Sequence, residues 1–164
     1  MNTLKTPMDK RACGVRRFAA DCLFAISVVL MCSPTFAASL QIVGDGIPLA
    51  LTEIKGDANR GREIVANRQL GLCTLCHQLA DVASDGSEKF QGNLSVNLAG
   101  VGARLSESQL RLRIADNRQV NNKSIMPAFY KVDKLNRVGQ TWQGKTILTA
   151  QQVEDVVMYL VSLK

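Results

Sequence analysis

Two cysteines and a histidine stand together at Cys73-Thr74-Leu75-Cys76-His77. A thiol can add across a carbon–carbon double bond, and an imidazole can ligate a metal. A gap of two residues lets both sulfurs meet the edge of one flat ring. The next residue is then carried beneath the ring. This is the attachment pattern of a c-type haem, with thioethers from Cys73 and Cys76 to the vinyl groups and His77 on the iron. Other chemistries fit less well. A thioredoxin-like pair needs a strand–helix setting, and none is visible. A structural zinc site needs about four ligands. A plain disulfide would leave His77, the single histidine of the chain, without a role.

A second axial ligand must come from elsewhere, and it cannot be histidine. Past residue 37 the methionines are Met126 and Met158. Met158 falls within an apolar helical repeat. Met126 lies in the irregular stretch Asn121-Asn122-Lys123-Ser124-Ile125-Met126-Pro127. Pro127 has no N–H and restricts the local backbone, which suits a loop holding a thioether. Met126 is the expected ligand, with a gap-filling role as its alternative. Tyr130 and Lys131 are the fallbacks. His/Met ligation leaves no open iron position and raises the potential, so the site should move electrons.

The elements around these residues read as mostly helical. Asp57 caps a first helix expected over about Asp57 to Gly71. Gly61 inside it costs about 1 kcal/mol relative to alanine, which close approach of another helix would offset. Residues 78–103, with Gly86, Gly92, Gly100 and Gly102, form a long loop that wraps the cofactor. Ser106 with Gln109 makes a capping box for a helix from Glu107 to Asn117, with Leu110 and Ile114 facing inward. Arg111, Arg113 and Arg118 are expected on its solvated face, with a haem-propionate contact as an alternative for one. Thr149 with Gln152 opens a last helix whose Val153, Val156, Val157, Leu160 and Val161 repeat at helical spacing. A short strand pair near Val132–Ile147 is a weaker expectation.

Residues 1–37 read as an export signal. Lys5, Lys10, Arg11, Arg16 and Arg17 precede the apolar run Phe18 to Met31, and Thr35-Phe36-Ala37 offers a cleavage site. The run is too short to span a bilayer, so no stable membrane anchor is expected after cleavage. The chain has 20 Lys+Arg and 14 Asp+Glu. Removing the signal takes five and two of these, leaving 15 and 12, or about +3 rather than +6. No basic run remains to hold nucleic acid. Cys13, Cys22 and Cys32 leave as well, so Cys73 and Cys76 are the cysteines that meet the oxidising periplasm. The expected layout is signal 1–37, an extended arm 38–55, and a cytochrome domain 56–164.

Several runs resemble one family. Gly71-Leu72-Cys73-Thr74-Leu75-Cys76-His77 resembles the haem site of SoxX, the small cytochrome subunit of the thiosulfate-oxidising Sox system. Gly92-Asn93-Leu94 and Asn97-Leu98-Ala99-Gly100-Val101-Gly102-Ala103-Arg104 resemble its loop, and Leu110–Ile114 its middle helix. Met126–Val138 and Gly144–Val157 are the most specific matches. The resemblance implies a class I-like cytochrome c fold around one covalent haem c, held by Cys73 and Cys76 and ligated by His77 and Met126. It implies pairing with a larger cytochrome, SoxA. That complex, an L-cysteine S-thiosulfotransferase, oxidatively joins thiosulfate to a cysteine of the carrier SoxYZ. The covalent chemistry belongs to the larger subunit, so this chain carries no catalytic nucleophile and passes electrons to a downstream acceptor. The arm 38–55 and Phe129–Val138 are the expected contact surfaces. The competing readings are an independent periplasmic electron carrier and a gas-binding module with an open distal site.

Overall fold

The computed structural model describes residues 40–79 and 91–164. The export signal, residues 38–39 of the arm, and Gly86 of the wrapping loop lie outside the described residues. Four α-helices make the described fold: α1 (Ala58–Ala66), α2 (Val101–Arg104), α3 (Glu107–Asp116) and α4 (Ala150–Ser162). None is long and apolar enough to cross a membrane.

Local sequence starts the helices as expected. Asp57 accepts the Arg60 N–H at 2.9 Å and caps α1. Both capping boxes form, Ser106 with Gln109 and Thr149 with Gln152. α1 ends five residues short of Gly71. The Asn67 side chain accepts from the N–H groups of Gln69 and Leu70, at 2.9 and 3.1 Å. This side-chain acceptor draws the backbone out of the helix into a turn.

α4 is the central element. α1, α2 and α3 all pack against it. Val153, Val156, Val157 and Leu160 are buried with Ile64, Val65, Leu110, Ile114 and Phe129 in one core. Each such residue contributes about 1.5–3 kcal/mol of hydrophobic stabilisation. Gly61 faces the Asp155 carbonyl of α4, where a Cβ would collide. The close approach expected at Gly61 is therefore present.

Three expectations need correction. The first is that Arg111 is not solvated: it is 1% exposed. Its Nε donates to Glu154 Oε1 at 2.7 Å and one terminal nitrogen to Glu154 Oε2 at 2.9 Å. It also donates to Glu107 at 2.6 Å and to the Ile47 carbonyl at 2.8 Å. Burial disfavours its charge, but the Glu154 and Glu107 carboxylates outweigh that and raise its pKa. Second, no strand pair forms between Val132 and Ile147. The segment is irregular, with one 3-10 turn at Gln140–Trp142. Third, Phe129 is 3% exposed and belongs to the core, so it offers no partner a surface.

The arm lies across the domain. Ile47 is buried with Leu112 and Ala115 in a second small core. The Leu51 N–H donates to Glu154 at 2.9 Å, and the Ile47 N–H to the Ser108 carbonyl at 2.9 Å. Asp155 holds the next stretch. It accepts from the Asp57 N–H at 2.8 Å and from Arg60 at 2.8 and 2.9 Å.

Candidate haem site

The Cys73-Leu75 run forms one 3-10 turn, entered through Leu72 in the left-handed region at φ 59. The His77 N–H closes the turn on the Cys73 carbonyl at 2.9 Å. A strap runs beside it. The Gly92 N–H donates to the Thr74 carbonyl at 2.8 Å, the Ser95 N–H to Cys76 at 2.9 Å, and the Leu98 N–H to Gln78 at 3.0 Å. A side chain at Gly92 would strike the Leu75 carbonyl, so glycine permits this pairing.

The strap brings the Val96 carbonyl to His77 Nδ1 at 2.8 Å. A carbonyl oxygen only accepts, so Nδ1 carries the proton and Nε2 keeps its lone pair. That hydrogen bond sets tautomer and ring orientation for a metal-ligating imidazole. The Val96 partner is a backbone atom, so its side chain carried no sequence signal for it.

Cys73, Cys76, His77 and Met126 all line one cavity of about 650 Å³. Its walls are mainly apolar and include Val65, Leu98, Val101, Ile114, Phe129, Leu148, Val156 and Leu160. Arg113 and Lys123 lie on the same lining with Asn117, Asn121 and Ser124. Met126 reaches the wall on a loop tied to α3. The Met126 N–H donates to Ser124 Oγ at 3.2 Å, and Asn117 donates to the same oxygen at 2.8 Å. The Phe129 and Tyr130 N–H groups donate to the carbonyls of Ile114 and Ala115, both at 3.2 Å. Met158, Tyr130 and Lys131 do not line the cavity.

These residues fit a large flat apolar group with an anionic edge. Cys73 and Cys76 form no disulfide. Burial pushes the Cys73 thiol up to about 12, so its sulfur faces the cavity uncharged. Among the described residues no three His, Cys, Asp or Glu side chains converge on a metal position.

The cytochrome c family model matches residues 58–164. The chain belongs to the cytochrome c family. It is similar to the solved structure of SoxXA from P. pantotrophus, at 36% identity and a TM-score of 0.68. The match covers 76% of this chain and 94% of that one. No curated protein matches the chain. The protein is a SoxX-like cytochrome c with a class I-like, mostly helical fold and a covalently bound haem c. The expectations of fold and cofactor therefore hold for this SoxX-like cytochrome.

Proposed function

We propose that this SoxX-like cytochrome is the electron-accepting haem subunit of a complex that oxidatively conjugates thiosulfate to a carrier cysteine. Cys73 and Cys76 would carry the haem as thioethers, and His77 and Met126 would ligate its iron. The observation that carries the reading is that residues about 50 positions apart share one apolar wall, with His77 already oriented by Val96. Bound haem c supplies a one-electron iron couple. The chain's own residues set its environment. The apolar walls exclude water, the Nδ1–H bond to Val96 fixes the tautomer and orientation of His77, and Arg113 and Lys123 on the lining would neutralise propionates. With His77 and Met126 both on the iron, the site would transfer electrons rather than transform a substrate. The likeness to SoxXA supports a SoxA-like partner and a thiosulfate-oxidising complex as the setting; a SoxYZ-like carrier is the substrate we propose for it. We place residues 1–37 as the cleaved signal, 38–55 as the arm and 56–164 as the cytochrome domain, acting in the periplasm.

Two measurements test this. The oxidised protein should show a weak sulfur-to-iron band in the far red, absent in Met126→Ala; its survival in the variant would remove Met126 from the iron. Purified from periplasm, the protein should come with a larger cytochrome and show thiosulfate-dependent haem reduction. A lone monomer reduced without that partner would instead identify an independent carrier.

A further inference from the structure

Beside the haem cavity lies a second, smaller cleft of about 310 Å³. The irregular segment 131–147 folds back to form it against Leu72 and Pro127, which also line the haem cavity. Arg118, Lys131, Arg137 and Lys145 line the cleft, and no carboxylate does. Asp116 neutralises Lys131 at 2.6 Å, and Arg118 Nε donates to the Ser124 carbonyl at 3.4 Å. The side chains of Arg137 and Lys145 have no hydrogen bond or ion pair among the described residues. Trp142, the single tryptophan of the chain, stands 45% exposed on the same lining. Lys134 and Arg137 are held in the left-handed region, at φ 52 and 57. Non-glycine residues there are strained, and such strain concentrates at functional positions.

Arg113 and Lys123 line the haem cavity, whereas Arg118, Lys131, Arg137 and Lys145 line the cleft and not that cavity. An exposed tryptophan beside arginine is the composition of an interface anchor. Exposed lysine and uncompensated positive charge are depleted from long-lived seams. They characterise encounters steered by charge. The segment is also long for an irregular connection in a compact domain, which favours a binding role.

We propose that this cleft is the docking site of an acidic, one-electron acceptor protein that meets the cytochrome transiently. One electron passes from the cytochrome to the oxidised acceptor, and no atom or proton moves with it. The inference rests on the electron-transfer reading and adds where the electron leaves.

Plastocyanin, an acidic copper protein, serves as the probe. With both proteins fully reduced no electron moves, and the single indole N–H resonance of Trp142 reports binding alone. A saturable shift is expected at low salt, weakening as ionic strength rises. Arg137→Glu combined with Lys145→Glu should lower the association constant about tenfold or more. The rate of reduction of oxidised plastocyanin should fall in parallel, while that of cationic tris(phenanthroline)cobalt(III) should rise. An unchanged haem spectrum shows that the variant folds; Arg137→Gln with Lys145→Gln replaces it otherwise. No shift in the native protein, or equal shifts in native and variant, overturns the proposal. So does a variant that still binds plastocyanin but no longer co-purifies with the larger cytochrome, which would make the cleft the stable subunit seam. The binding signal does not depend on thiosulfate, so its failure is distinct from failure of the proposed function.

Discussion

The two flanks of α4 solve the burial of polar and apolar groups in opposite ways. On one flank, Glu154 and Asp155 join the arm, α1 and α3 through a closed set of ion pairs and hydrogen bonds. Glu154 alone receives Arg111 Nε, an Arg111 terminal nitrogen and the Leu51 N–H. On the other flank, apolar walls face one another across the haem cavity, and Thr74 beside it leaves a buried hydroxyl without a partner. The polar flank completes itself from its own residues. The apolar flank is completed by the cofactor, because only a large apolar group can cover such walls. Anchoring and electron transfer are thus divided across one helix.

The comparison is broken most severely by removing the thioethers. Cys73→Ser with Cys76→Ser should abolish haem that survives denaturing electrophoresis. Without the haem, the apolar walls around about 650 Å³ lose their cover. A small domain has only about 5–15 kcal/mol of stability to lose. Thermal unfolding should show the largest loss of any variant considered.

The polar flank should respond next. Glu154→Ala leaves Arg111 buried without its main partner, at an expected cost of about 3–5 kcal/mol in denaturant titrations. Arg111→Met with Glu154→Leu should recover much of that loss while still releasing the arm, read as faster proteolysis before Asp57. If Glu154→Ala costs less than about 1 kcal/mol, the flank is not closed as described.

Gly61→Ala sharpens the seam between α1 and α4. A methyl group there meets the Asp155 carbonyl, and overpacking of this kind costs about 1–3 kcal/mol. An exposed helical site would instead gain up to about 1 kcal/mol from the same change.

The smallest effect is set by pH. Burial opposes the charge of Asp155, but hydrogen bonds from Arg60, the Asp57 N–H and Gln151 outweigh it and hold its carboxyl below the ordinary range. Asp116 is lowered likewise, against burial, by Gln119 and Lys131. Both are depressed in the folded state, so the unfolded chain binds more protons in acid. Their contribution is present above the unfolded value of about 3.9 and is lost as pH falls through the lower folded values. Stability of Asp155→Asn should therefore vary less below that pH than stability of the native protein. Because Arg60 is half-exposed, added salt should reduce the difference.

Much of this was legible in the chain because it depends on neighbours in sequence. The Cys73–His77 spacing is a matter of local covalent reach. Ser106 with Gln109 and Thr149 with Gln152 act within one turn, and the Val153–Val161 repeat marks the inner face of one helix. The reading failed where partners are remote. Arg111 looked solvated because arginines recur along its helix, although it stands between Leu110 and Leu112, and Glu107 lies one turn before it. Its main partner is 43 residues away. Glu154 and Asp155 interrupt the apolar stripe in sequence, and both are buried.

The sequence by itself determined the Cys73–His77 spacing and the helix starts, and it singled out Met126 over Met158 as the expected ligand, since bond reach, capping and the restraint of Pro127 act over a few residues. Tertiary structure alone decided that Val96 orients His77 and that Arg111 locks the arm to α4. It also decided that Arg137 and Lys145 share a cleft with Trp142. Those contacts join segments whose approach is set by packing around α4, and a backbone carbonyl or a lone charge carries no mark of the partner it will meet.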